Sequence, residues 1–222
     1  MNKIIDLHFN MRSRIFSILM FCLLMIGTSC LQKDYDYEGE PLDPNINMTA
    51  WEYMQSRPDV FSRMTEAVEY AEMRDFYTQT DRKYTYLFLN NRAMENFLAK
   101  YGAGDFIGVD VEKVRKLLLY HIIVGEYHAY NKKLPIEPIY VKTLLEGEDG
   151  LLTIMVEKSA QATAVFQDQI VNGNIIINRL NSNYASQSIN SVTTNILASN
   201  GPIHVYRNYA FFKRNAAYVT AY

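Results

Sequence analysis

The chain has 222 residues, is 49% hydrophobic and 21% charged, and carries a formal net charge of −2; that composition suits a globular protein with a sizeable apolar core. The charge is unevenly placed. Residues 31–50 hold Asp34, Asp36, Glu38, Glu40 and Asp43 against Lys33, whereas residues 51–222 hold 18 basic and 18 acidic side chains. Such a balance lacks the basic excess that a nucleic-acid surface needs, so nucleic acid is not an expected partner.

At the N-terminus, Arg12 and Arg14 precede the apolar run IFSILMFCLLMI at 15–26, and Gly27, Thr28 and Ser29 follow it. A basic flank, a short apolar centre and a small-residue exit predict a secretory signal over residues 1–29, too short to span a bilayer comfortably. Met1 and Met11 are both candidate starts. The exit ends at Cys30, and GTSC at 27–30 resembles the lipobox of bacterial lipoproteins, in which that cysteine becomes the lipid-bearing first residue. Gly27 stands where an aliphatic residue is usual, and the alternative reading of Cys30 is a thiol left there by chance. Lys33 and Asp34 resemble the charged export tags of Bacteroidetes surface lipoproteins. These resemblances imply an outer-membrane lipoprotein exposed at the cell surface, anchored through the lipid on Cys30. Cys22, the other cysteine, would leave with the signal, so the mature fold rests on its core rather than on disulfides. Residues 30–50 are acidic, contain Pro41 and Pro44 and show no apolar period, and read as an extended tether.

Residues 51–77 recur in apolar side chains at helical spacing (Val60, Phe61, Met64, Ala67, Val68, Ala71), which predicts a short helix and then a longer one opened by Pro58. YTYLFLN from Tyr84 is too short for a helix and rich in aromatics, a buried strand. Asn90 or Asn91 caps the next helix, which Gly102 ends. Asp110 opens VEKVRKLLLYHII, with Val114, Leu117, Leu118 and His121 along one side. Beyond Gly125 the sequence reads as strands: YHAYNKKL, PIYVKTLL, LLTIMVEK, ATAVFQDQ and IIINRLN. Asn172-Gly173 gives a hairpin signal, and Asn200-Gly201 a turn before a last strand, PIHVY. No internal repeat of domain size is present.

Three separated segments resemble the motifs of the fasciclin (FAS1) domain family: TYLFLNNRAM at 85–94, LLLYHIIVG at 117–125 and SNGPIHVY at 199–206. Leu89, Val124 and Pro202 depart from the family pattern. The resemblance covers about 130 residues and implies an α+β fold: one FAS1-like domain at 81–214, a twisted wedge of strands with helices to one side. A helical segment at 51–80 would precede it and a tail at 215–222 follow it. It further implies an extracellular binding or adhesion module with no general catalytic activity. The family positions fall on Thr85, Asn91, Tyr120, His121, Gly125, Asn200, Gly201 and His204, mainly structural in this reading, although the Tyr-His pair has been considered part of an adhesive surface.

The chemistry in the sequence is sparse. His121, His128 and His204 have no HxH, HExxH or cysteine partners, so no metal site is expected, and no GxSxG, P-loop or dinucleotide motif occurs. No cofactor and no enzymatic activity are expected. The partner is then a cell-surface protein or, for an accessory subunit of a polysaccharide-uptake system, a glycan, for which the seventeen tyrosines supply stacking faces.

Overall fold

Most helices in the computed structural model, which describes residues 43–131, 134–157, 173–179 and 188–210, start from a local signal in the chain. Thr49 opens α1 (Ala50–Ser56) with a reciprocal cap: its hydroxyl accepts from Glu52 N at 3.3 Å, and the Glu52 carboxylate accepts from Thr49 N at 2.7 Å. Pro58 occupies the first turn of α2 (Pro58–Tyr70), where its missing N–H costs nothing. A short α3 (Arg74–Thr78) follows. Asn90, not Asn91, caps α4 (Asn91–Lys100) by accepting from Ala93 N. Asp110 caps α5 (Val111–Tyr120), and His121 lies just past its last turn. Among the described residues no helix is long and apolar enough to cross a membrane.

The seven strands are β1 (Tyr84–Leu89), β2 (Ile122–Val124), β3 (Ile139–Lys142), β4 (Leu151–Val156), β5 (Ile175–Ile177), β6 (Ile189–Ala198) and β7 (Gly201–Tyr206). They form one sheet in the order β2-β1-β7-β6-β5-β4-β3, parallel only between β1 and β7. The sheet curls until its two edges meet, where Ile123 bridges Thr143 and Leu144 N donates to Ile122 O at 2.9 Å. Ile139, Ile154, Ile177 and Ile189 pair in register as one row across four strands. Period-two alternation turns that row to one face and the row Met155, Ile176 and Asn190 to the other. The helices of residues 51–80, read from the sequence as an added segment, bury Trp51, Met54, Phe61 and Tyr77 in the same core as Tyr86 and Phe88 of β1. Phe61 meets Phe88 edge to face at 5.2 Å and Tyr77 stacks on Tyr86 at 5.5 Å.

Three expectations are corrected. The tether does not stay free to residue 50: Asn45 bridges Leu197 in parallel, with Leu197 N donating to Pro44 O and Ile46 N to Leu197 O, because only the first part of β6 is paired with β5 and its later edge is open. YHAYNKKL is not a strand. Its described part turns through a 3-10 segment at Ala129–Asn131, and side chains, not a neighbouring strand, satisfy its backbone. IIINRLN stops as a strand at Ile177, since Asn178 takes a positive φ of 50° and turns its side chain inward to Tyr120. The ATAVFQDQ segment, Asn172 and residues 1–42 lie outside the described residues.

At the β6–β7 turn, Gly201 has φ +145°, and a Cβ there would stand 1.8 Å from Tyr84 O. Gly201→Ala is expected to cost about 3 kcal/mol or more in a denaturant melt, because backbone, not a flexible side chain, must give way. The Tyr77 hydroxyl is buried with no hydrogen-bond partner among the described residues. Tyr77→Phe should therefore raise stability by about 1 kcal/mol; a fall in the urea midpoint would show that the hydroxyl is partnered.

Candidate functional site

The residues singled out by motif are brought together as ties between elements. Thr85 on β1 donates to Gly125 O and accepts from Tyr127 N, both at 2.8 Å, which holds the loop leaving β2. Gly125 itself turns at φ +106°. Asn91 inserts its amide into α2: Oδ1 accepts from Arg63 N at 3.0 Å and Nδ2 donates to Asp59 O at 3.2 Å, two backbone groups four residues apart. Tyr120 is fully buried, donates to Leu151 O and accepts from Asn178 Nδ2, joining α5 to β4 and the end of β5. Asn200 donates through Nδ2 to Tyr77 O, Gln79 O and the Tyr86 hydroxyl and accepts through Oδ1 from Ala50 N.

The two motif histidines are 1% and 0% exposed, and the backbone engages both nitrogens of each. His121 Nδ1 lies 2.7 Å from Leu117 O and so carries the proton, while Nε2 accepts from Ala210 N at 3.0 Å. His204 has the opposite tautomer: Nδ1 accepts from Asn195 N at 3.1 Å and Nε2–H donates to Tyr127 O at 2.8 Å. A second proton on either ring would face an N–H donor. Burial pushes both side chains down from 6.5 to about 4, against the opposing pull of the carbonyl each one meets. Neutral rings with both nitrogens engaged by the main chain have no lone pair left for a metal or a substrate. Among the described residues no group of three or more His, Cys, Asp or Glu stands ready to hold a metal ion. Cys30 lies outside the described residues.

The outer face of the sheet carries a feature that motif reading missed. Met155 and Ile176 floor an open cleft of about 550 Å³, rimmed by Glu137, Glu157, Arg179 and Asn190. Its residues come from β4, β5, β6, their flanks and the segment before β3, scattered over more than fifty positions, and the strand register gathers them. Other exposed large apolar side chains are Ile107 at 82% and Val124 at 48%, and Tyr140 stands 58% exposed on β3.

The curled seven-stranded sheet with its helices, held by buried polar motif residues, is a FAS1-type α+β domain. The chain belongs to the Fasciclin domain family, which matches residues 59–208 and so takes in nearly all of α2. Among solved structures it is similar to a FAS1 domain pair from the insect cell adhesion molecule fasciclin I, at 17% identity and a TM-score of 0.52, over 74% of this chain and 51% of that one. The chain thus spans about half the length of that domain pair, and the likeness is one of fold. A search of curated proteins finds no match.

The histidines make stability depend on pH. In the unfolded chain they take up protons below about pH 6.5, while in the folded chain they resist to about 4, so the unfolded state binds more protons between these values. Their contribution, on the order of 3 kcal/mol each at most, is complete above pH 6.5 and falls as pH drops toward 4. Urea melts at pH 7 and pH 4.5 should show this loss, and His121→Gln should flatten part of it. His121→Ala is expected to lower stability by roughly 3 kcal/mol, since it leaves Ala210 N without its partner, removes the ring's bond to Leu117 O and opens a cavity. Loss of binding with an unchanged melt would instead make His121 a contact residue.

Proposed function

We propose that the protein is a membrane-anchored extracellular module of the fasciclin adhesion type, acting by binding rather than catalysis. The observation that carries this reading is the full engagement of His121 and His204 by main-chain groups, which turns the family's most chemically versatile side chains into parts of the core. Recognition is then left to the outer surface. The adhesion role of the insect protein with the same fold points the same way.

Anchoring through Cys30 fits the course of the chain. From Cys30 to Asp43 are about 13 residues, which reach on the order of 45 Å when extended, and the chain then docks beside Leu197 at the end of β6. A second reading, an accessory glycan-binding lipoprotein of a surface polysaccharide-uptake system, is favoured by the outer-face cleft.

Cys30→Ala should move the protein from the membrane to the soluble fraction, and retention in membranes would sink the anchor. Cells carrying the wild-type chain should be open to external proteinase at this protein and attach to a surface coated with extracts of neighbouring cells more than cells carrying the variant. Equal attachment by both would remove the adhesion reading.

A further inference from the structure

We propose that the outer-face cleft over β4, β5 and β6 is a binding site for a neutral oligosaccharide. The assignment rests on the reading of the chain as a binding module and names the chemistry of one of its surfaces. The floor is aliphatic, with Met155 paired directly to Ile176 and Ile136 also lining the cleft. Such a floor matches the C–H face of a sugar ring and offers no hydrogen bonds of its own. The rim does the opposite: two carboxylates, Glu137 and Glu157, accept only, Arg179 donates only, and Ser188 and Asn190 do both. A row of vicinal hydroxyls, each a donor and an acceptor, is complementary to that mixture.

Among the described residues the rim's hydrogen-bonding capacity is largely unused: Glu137 makes no ion pair or side-chain hydrogen bond there, Glu157 accepts only the Asn174 amide at 3.3 Å, and Arg179 donates only to the sulfur of Met155 at 3.2 Å. Charge narrows the ligand further. Among the described lining residues, two carboxylates against one guanidinium disfavour sulfated or uronic glycans, while Arg179 and the want of an aromatic ring there disfavour a cationic ligand. The volume falls within the ~300–1,000 Å³ usual for small-molecule sites.

A further observation fits a chain of sugars rather than one ring. Tyr140 pairs with Thr153, which shares the outer face with Met155 two positions on, so a 58% exposed aromatic ring stands on the cleft's own face.

The test is a glycan array bearing neutral and acidic oligosaccharides, probed with the mature full chain and with Glu157→Gln, Arg179→Ala and Tyr140→Ala. All three positions are exposed, and melting curves matching wild type confirm folding. Wild type should bind neutral glycans. Glu157→Gln and Arg179→Ala should each weaken binding by about tenfold or more, the loss of one charge-assisted hydrogen bond, and Tyr140→Ala should weaken longer oligosaccharides more than short ones. A blank array, a signal on acidic glycans alone, or titres unchanged in Glu157→Gln and Arg179→Ala would overturn the assignment. If the array is blank while the cells still attach through the wild-type chain, the cleft assignment fails and the binding-module reading stands.

Discussion

One side chain carries more of the long-range order than any other, the amide of Asn200. It sits fully buried between the N-terminus of α1, the residues ending α3, the Tyr86 hydroxyl on β1 and the β6–β7 turn that bears it. Those partners lie more than a hundred residues away in sequence. A buried amide of this kind is stable only when its groups are satisfied together, so the helices before β1 cannot leave the core without stranding it. Gly201 adds the steric half of the constraint, because Tyr84 O occupies the space where any other residue would place its Cβ. The parallel pairing of β1 with β7 and the docking of α1 thus depend on the same two residues.

The histidines extend this logic to the other parts of the sheet. His204 accepts a backbone N–H from β6 only because Asn195 takes a positive φ of 59°, in the region where the β6–β7 register slips. The same Asn195 uses its carboxamide oxygen to hold Ala129 N. The segment after β2, which has no strand partner, is therefore strapped by Thr85, Asn195 and His204. His121 does the corresponding work at the end of α5, since Ala210 N, past β7, donates to its ring. Opposite tautomers are set by opposite neighbours, and neither ring can ionise without breaking a main-chain bond.

These contacts explain which parts of the fold were legible in sequence. SNGPIHVY and LLLYHIIVG could be read because they resemble family motifs and carry local signals, a turn that takes glycine and a helix end that delivers a histidine, although distant segments hold their polar side chains. The strand β6 could not, because its bulges break the alternation on which recognition of a strand rests. YHAYNKKL misled for the converse reason: its aromatic residues suit a strand, yet tertiary side chains take up the backbone groups of its first residues. Asn90 and Asn91 were indistinguishable as caps until the structure showed Asn91 reaching across to α2. The cleft had no local signal at all. Its carboxylates, guanidinium and amide belong to separate segments, and register alone assembles them.

The sheet accordingly separates two demands that sequence runs together. On one face Ile139, Ile154, Ile177 and Ile189 form a continuous apolar row, and the motif residues of the paired strands and helices satisfy one another inside. On the other face the intervening positions of the same strands present Met155, Ile176 and Asn190 beneath charged rim residues. Because the side-chain period of a strand is two, a change at Glu157 or Asn190 alters the rim without entering the isoleucine row. The outer face can therefore change while the motifs stay fixed, which is why the motif residues define the domain and the residues between them are open to variation.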